Sequence, residues 1–199
     1  MKDKHIHIES HSQLLKNIYQ QVEEKIEINK FHSNINIGYK IDFELEDTRS
    51  TIPRLKDVIQ LGFQWILDYE KMYCWQRFVK LFYPHLKELE EIDAFYFYNL
   101  DNLVHIMIKQ NALRAICESY ISILEYEGRL HTDYECLICE NKIIENISLV
   151  RGFLPVHAKC TYSKIFELKK VKELFEQKKL INLSNEEVEY LWEIILQGL

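Results

Sequence analysis

Glycine and proline are scarce in this chain of 199 residues, which has five glycines and three prolines. Linker-rich and disordered proteins are enriched in these residues, so the composition excludes both classes. No apolar run approaches the roughly 20 residues that a membrane-spanning helix needs, and the charged start of the chain leads into no stretch that resembles a signal peptide. We therefore expect a compact, helix-rich cytoplasmic protein with no membrane partner.

Positive charge is also in short supply. The chain has 25 Lys and Arg against 31 Asp and Glu, a net charge of −6, whereas a nucleic-acid-binding protein needs clustered cations to neutralise phosphates. The excess of acid is concentrated in residues 61–133, with 7 basic and 11 acidic side chains. Residues 1–60 and 134–199 each have 9 basic and 10 acidic side chains. Any DNA contact should therefore come from the two ends of the chain.

Cysteine is present in an odd number, five, and three of the five lie within one short window. That pattern argues against a disulfide framework and favours a metal site. Cys136 and Cys139 form a Cys-x-x-Cys pair, and His157 and Cys160 repeat the spacing after 17 intervening residues. Two such pairs can supply the four corners of a tetrahedron around Zn²⁺.

We expect this zinc to be structural, because four protein ligands leave no open coordination position. The His-x-Glu pair that precedes Cys-x-x-Cys in zinc deaminases is also missing. Two alternatives stay open at this point: the cysteines could be small core residues, or His131 could replace His157. Cys74 and Cys117 lie on apolar helix faces, where we expect them to be core residues.

The first 60 residues have the alternation of strands. Apolar and polar residues alternate strictly from Ile35 to Leu45, and a turn at 47–50 leads to a predicted returning strand, Thr51 to Val58. A helix is predicted over Ser12 to Glu24, with strands at 5–9 and 25–29 on either side. Together these elements predict a small barrel or a curled sheet.

From Leu61 onward the apolar period becomes that of helices. We predict a long helix that ends or kinks by Pro84 and four more over the ranges 86–109, 113–127, 164–177 and 185–197. Gly128 is placed to end the third of these five helices. Ser163 is a candidate N-cap for the fourth, and Ser184 with Glu187 forms a capping box for the fifth. The intervening segment, 140–156, suits a two-stranded ribbon that reverses at Arg151 and Gly152.

The stretch Leu124–Leu130, followed by Cys136-x-x-Cys139, resembles the RecO family of DNA repair and recombination mediators. The segment Ser148–Gly152 and the ligand pair His157 and Cys160 resemble the strand, glycine turn and second ligand pair of the family's metal site. Residues 30–62 resemble the end of the family's N-terminal OB barrel. The resemblance implies an α+β fold. An OB-like barrel, complete or shortened, would occupy 1–60. A helical domain would occupy 61–199 and include a zinc-binding ribbon at 134–162.

RecO proteins bind single- and double-stranded DNA, anneal complementary strands, and assist RecA loading together with RecR. The resemblance therefore implies those partners, no catalytic residue, and a protein that is not an enzyme. Some relatives also bind the tail of single-stranded DNA-binding protein in their helical domain. The aromatic run Phe95–Tyr98 could line such a groove, although helical core is the simpler interpretation.

The candidate DNA-binding residues come from the barrel and from one Lys-rich helix. They are Lys25, Lys30, Lys40, Arg49, Arg54 and Lys56 in the barrel and Lys169, Lys170 and Lys172 in the helix. Phe31 and Tyr39 are candidate stacking platforms, since OB barrels combine backbone charge with aromatic stacking. Ordinary solvated charge is an equally good interpretation of any single one of these cations. Two rival functions remain: a zinc-stapled interaction adaptor without DNA affinity, and a metal-dependent enzyme.

Overall fold

The computed structural model describes residues 35–46 and 54–199. Their elements form two antiparallel sheets and several helices, a mixed α/β arrangement. In chain order they are β1 (Lys40–Glu46), β2 (Arg54–Leu61), α1 (Tyr69–Lys80), α2 (Phe82–Leu86), α3 (Ala94–Lys109), α4 (Ala112–Tyr126), β3 (Asn146–Val150), a 3₁₀ turn (Arg151–Phe153), β4 (Leu154–Val156), α5 (Ala158–Thr161), β5 (Phe166–Glu167), α6 (Leu168–Gln177) and α7 (Asn185–Ile195).

The predicted hairpin is present. Strands β1 and β2 pair antiparallel from Lys40 opposite Leu61 to Glu46 opposite Arg54, with a register shift between Asp42 and Glu44. The returning strand was predicted at 51–58, but it begins at Arg54 among the described residues and continues to Leu61. The prediction ended the strand too early because two apolar residues, Val58 and Ile59, are adjacent and interrupt the alternation, while backbone pairing continues to Leu61.

A closed barrel, one of the two forms predicted for residues 1–60, is not present in the part of the chain that the structure describes, where β1 and β2 form a two-stranded sheet. Closure needs more strands than one hairpin supplies. The predicted helix at 12–24 and the strands at 5–9 and 25–29 lie outside the described residues. The division of the chain at residue 60 stays a prediction.

An aromatic cluster attaches the hairpin to the helices. The Trp75 indole N–H on α1 donates a 2.7 Å hydrogen bond to the carbonyl oxygen of Gly38, just before β1. The Trp75 ring packs edge-on against Phe63 and Trp65, with centroids 5.8 and 6.0 Å away. Trp65 in turn donates to the Val104 carbonyl on α3, at 2.9 Å. The hairpin therefore contacts the helical core through its tight entry turn.

The first helix starts later than predicted. Residues 63–67 form turns that bury Phe63 and Trp65, and α1 begins at Tyr69, where the Asp68 carboxylate accepts from the Lys71 N–H at 3.1 Å. Apolar spacing alone could not distinguish this aromatic turn from a helical face. Helix α1 ends at Lys80, before Pro84, as predicted. Pro84 itself follows that end. It lies inside the short helix α2, near its start, where a missing N–H costs little.

The second predicted helical region, 86–109, is helical only from Ala94. Asp93 is the N-cap of α3 and accepts from the Phe95 N–H at 2.7 Å. Helix α4 begins after the N-cap Asn111 and is buried on almost every face, against α1, α3 and α7. It ends as predicted at Gly128, whose φ of 67° suits a residue without a Cβ.

Two N-caps were predicted for the last two helices, and one of them is present in the structure. The capping box of Ser184 and Glu187 at the start of α7 is confirmed. The cap at Ser163 is wrong, because the chain first adds the short strand β5 to β3 and α6 begins only at Leu168. Ser163 instead donates to the hydroxyl of Thr161 at 2.6 Å. No helix in the described ranges is long and apolar enough to cross a membrane.

Candidate functional site

The first ligand pair lies in a tight reversal of the chain. The Cys136 N–H donates to the Asn141 carbonyl at 3.0 Å, and the Glu140 N–H donates to the Cys136 carbonyl at 2.8 Å. Glu140 has a φ of 58°, which closes the turn. The Asn141 side chain also donates to the Cys139 carbonyl at 2.9 Å. These bonds place both sulfur atoms on one side of the turn.

The second pair follows β4. His157 is the N-cap residue of the short helix α5, and the Cys160 N–H donates to the His157 carbonyl at 2.9 Å. The Leu137 N–H donates to the Pro155 carbonyl at 3.0 Å and joins the two ligand turns. The sequence did not indicate this cross-link, because the Leu137 bond uses backbone atoms far apart in the chain.

All four predicted ligands come together. The ligand atoms of Cys136, Cys139, His157 and Cys160 lie within 4.8 Å of one another. The Cys139 sulfur is 3.3 Å from Nδ1 of the His157 ring, and the backbone N–H of His157 donates to the Cys136 sulfur at 3.3 Å. Four donors around a tetrahedral Zn²⁺ would be roughly 3.5–3.8 Å apart. Only a small contraction separates the cluster from that arrangement, so these side chains could hold a metal ion.

The electrostatics of the cluster also fit a cation. Burial disfavours ionisation of Cys136, but backbone N–H groups of Cys139, His157 and Ile138 donate to its sulfur, and the net effect lowers the pKa to about 6. The pKa of Cys160 is shifted in the opposite direction. Burial and then the two neighbouring thiol groups raise the pKa of Cys160 to about 11. A third thiolate is therefore costly here unless a positive ion balances it.

We call residues 134–162 the metal module. Its β3–β4 ribbon reverses at Arg151 and Gly152, as predicted, with Gly152 at a φ of 74°. Ser148 is fully buried on β3 and donates a 2.7 Å hydrogen bond to the Lys164 carbonyl. That bond fixes the chain just beyond Cys160 against the ribbon, so the last ligand is held from both sides.

The alternative ligand His131 and the two remaining cysteines all lie outside the four-residue cluster. His131 is not a member of the four-residue cluster and lines a shallow cavity of about 220 Å³ beside Cys136. Cys74 and Cys117 are buried in the core, as predicted. Asn141 is a supporting residue that the sequence interpretation missed. A polar residue two positions after a Cys-x-x-Cys pair was the available signal.

The candidate DNA-binding residues on the hairpin have different surroundings. Lys40 forms an ion pair with Asp101 on α3 at 2.5 Å and lies over the Phe97 ring, 5.7 Å from its centroid. Lys56 is exposed on β2 and makes no ion pair within the described residues. Arg54 opens β2. Tyr39 is half-buried, and Lys25, Lys30, Arg49 and Phe31 lie outside the described residues.

The three lysines of α6 all have intramolecular neighbours. Lys169 is 3.9 Å from Glu173, and Lys170 lies between Glu167 and Glu187 at 3.6 and 3.4 Å. Lys172 lies over the Tyr134 ring, 5.1 Å from its centroid. The positive charges of Lys169 and Lys170 are therefore partly neutralised within the protein, whereas that of Lys172 is not neutralised by any residue that the structure describes.

The aromatic run on α3 is divided between core and surface. Phe95 stacks on Tyr126 with centroids 3.9 Å apart, and Tyr96 is buried. Phe97 and Tyr98 are exposed. The core interpretation therefore holds for the first half of the run.

A family model described as RecO N terminal matches residues 29–66, which include the hairpin. No curated protein matches the chain. The match supports a RecO-like family at a coarse level and, with it, a role in DNA repair or recombination. It lies outside the metal module, so the two observations about this chain are independent.

Proposed function

We propose that this chain is a non-catalytic DNA-binding accessory protein of repair and homologous recombination. The observation that carries the proposal is the family match over residues 29–66. The matched segment contains the exposed hairpin, on which Lys56 makes no ion pair with any residue that the structure describes. By the same resemblance, single-stranded and double-stranded DNA are the ligands, RecR and RecA are the partners, and the cytoplasm is the location.

We also propose that the metal module holds one structural Zn²⁺. Three thiolates and one imidazole are ligands that Zn²⁺ prefers over the harder divalent ions. A closed set of four protein donors leaves no position for a substrate or a reactive water, which supports a structural role over a catalytic one. The ion would join the Cys136–Cys139 turn to α5. That connection orders the segment between the end of α4 and the start of α6.

An interaction adaptor without DNA affinity is the second candidate, and the net charge of −6 favours it. The two functions are separated by titrating the metal-loaded full chain into a labelled oligothymidine at low salt and following fluorescence anisotropy. We expect saturable binding that weakens as salt rises, together with faster annealing of complementary strands. No affinity at low salt would reject the DNA-binding function in favour of the adaptor.

A further inference from the structure

Tyr162 is the most exposed aromatic residue in the described ranges, with 97% of its surface open to solvent. It lies two residues after the ligand Cys160 and ends the short helix α5. Among the described residues, the ring contacts no other aromatic ring and the hydroxyl has no hydrogen-bond partner. A large ring without burial contributes nothing to the core, so stability does not explain a tyrosine here.

The backbone at Tyr162 makes the residue choice still less expected. Its φ is 54°, in the left-handed region where a side chain costs energy and glycine is preferred. The Tyr162 N–H donates to the Ala158 carbonyl at 2.7 Å, which closes the helix end in this conformation. Backbone strain of this kind persists where the surrounding structure imposes it, and such positions cluster at functional sites.

The chain on both sides of Tyr162 is fixed. Cys160 belongs to the ligand cluster, and the Lys164 carbonyl accepts from the buried Ser148 hydroxyl at 2.7 Å. Between them, the Ser163 hydroxyl donates to that of Thr161 at 2.6 Å. The ring is therefore presented to solvent from a held backbone, which reduces the entropy lost when a ligand binds to it.

The local charge is the opposite of that of the chain. Residues 146–166 contain Arg151, Lys159 and Lys164 and no Asp or Glu, although the chain as a whole has a net charge of −6. Arg151 and Lys159 are exposed and make no ion pair within the described residues. Lys164 donates to the Glu186 carbonyl at 2.7 Å, a contact that leaves its charge unneutralised.

A second exposed tyrosine shows the contrast. Tyr69 is 92% exposed at the start of α1, but Asp68 and Glu70 flank it. A polyanion would be repelled there and attracted at Tyr162. An exposed, flat ring beside backbone-contacting cations is the arrangement that holds unpaired bases in single-stranded nucleic acids.

We propose that Tyr162 is a base-stacking platform for single-stranded DNA, with Lys159 and Lys164 contacting the backbone phosphates beside it. This inference rests on the proposed DNA-binding function and adds a second contact site, on the metal module, to the hairpin. Base pairs in a duplex are already stacked on one another, so the platform favours single strands.

The test compares Tyr162→Ala, Tyr162→Phe and the control Tyr69→Ala on oligothymidine and on an abasic oligonucleotide of equal length. Stacking of one base on an aromatic ring corresponds to roughly a 5- to 150-fold change in affinity. We expect Tyr162→Ala to weaken oligothymidine binding by at least about fivefold, and Tyr162→Phe and Tyr69→Ala to bind as wild type. Because an abasic oligonucleotide has no bases to stack, Tyr162→Ala and wild type should bind it with equal affinity.

Tyr162→Gly separates binding from folding. Glycine suits the left-handed backbone, so this variant should melt at or above the wild-type temperature and still lose affinity for oligothymidine. If wild type binds oligothymidine and Tyr162→Ala binds it equally well, the platform is rejected and the DNA-binding function stands. An equal loss on the abasic oligonucleotide also rejects stacking. If wild type binds no DNA, both proposals fail.

Discussion

The hairpin and the metal module are both short antiparallel structures, but they are held in place differently. The hairpin exposes Leu45, Ile59 and Leu61 and is attached to the helices through the turn at Gly38 and the Lys40 ion pair. The metal module buries β3 and gathers four ligand side chains at one end. The hairpin thus depends on docking to the helices. The module also packs into the helical core, and we expect it to depend in addition on its ligand cluster. Of these two regions, only the hairpin lies within the family match, which covers residues 29–66.

Breaking the ligand cluster should have the largest effect. Binding energy at a structural zinc site is folding energy, so Cys139→Ser or chelation should lower the melting temperature by more than about 10 °C. Differential scanning calorimetry and metal analysis check this together, with about one zinc expected per wild-type chain. His131→Ala is the matched control, since it removes a neighbouring imidazole outside the cluster.

Full thermal stability in Cys139→Ser, or wild-type protein purified with well under one equivalent of metal, would show that the module does not depend on an ion. A variant that kept its stability but lost an enzymatic turnover would make the site catalytic.

Undocking the hairpin should have the next largest effect. A Cβ added at Gly38 would lie 2.5 Å from the Trp75 indole nitrogen, and the φ of 79° adds strain. Gly38→Ala should therefore cost about 2 kcal/mol or more, through loss of the indole hydrogen bond and backbone strain. Urea unfolding measures the cost. Gly62→Ala is the control, because a Cβ there meets nothing within 4 Å; equal losses in the two variants would contradict the docking role of Gly38.

A smaller, pH-dependent effect is expected at the junction between the helices and the module. The Glu127 carboxylate accepts from His85 at 2.6 Å, Tyr96 at 2.8 Å and Arg129 at 2.7 Å. Burial disfavours its charged form, but these three contacts outweigh burial and lower the pKa of Glu127. In the unfolded chain a Glu carboxyl has a pKa of about 4.3. Because the pKa of Glu127 is lower in the folded protein, its charged form stabilises the fold at pH values above about 4.3. This stabilisation is lost as the pH falls through the folded-state pKa.

Glu127→Gln should therefore cost about 1–2 kcal/mol at neutral pH. The difference from wild type should shrink below about pH 4. Urea unfolding at two pH values measures this difference in stability. The control is Glu125→Gln in the last turn of α4, which removes an exposed carboxylate that pairs with Lys178. If the stability difference between wild type and Glu127→Gln grew at acid pH, the pKa of Glu127 would be raised in the folded protein, which contradicts this account.

The parts of the fold that depend on neighbouring residues could be predicted from the sequence. The ligand pairs, the capping box at Ser184 and the helix end at Gly128 each depend on a few adjacent residues, and the structure contains all three. The start of α1 and the cap at Ser163 could not be predicted, because tertiary packing decided both. Phe63 and Trp65 are buried in a turn, and β5 occupies the residues after Ser163.

The predicted DNA-binding residues show a different limit. Their charge is visible in the sequence, but their partners are not. Lys40 and Lys170 form ion pairs with carboxylates that are distant in the chain. The exposure of Tyr162 was also invisible, because a tyrosine between Thr161 and Ser163 fits no apolar period and gives no sign of where its ring lies.

The most direct test of DNA binding by the ends of this chain is the salt dependence of single-stranded DNA affinity. Each phosphate contact contributes roughly −0.7 to the slope of log affinity against log salt, so replacing Arg54 and Lys56 by Ala should flatten the slope by roughly 1.4. Sequence preference should not change, because phosphate contacts carry none. The exposed lysines Lys80 and Lys87 of the acidic middle segment are the matched control, and their replacement should leave the slope unchanged. An unchanged slope in the Arg54 and Lys56 variant, with a matching loss when Lys169, Lys170 and Lys172 are replaced, would contradict the hairpin as the DNA-binding surface.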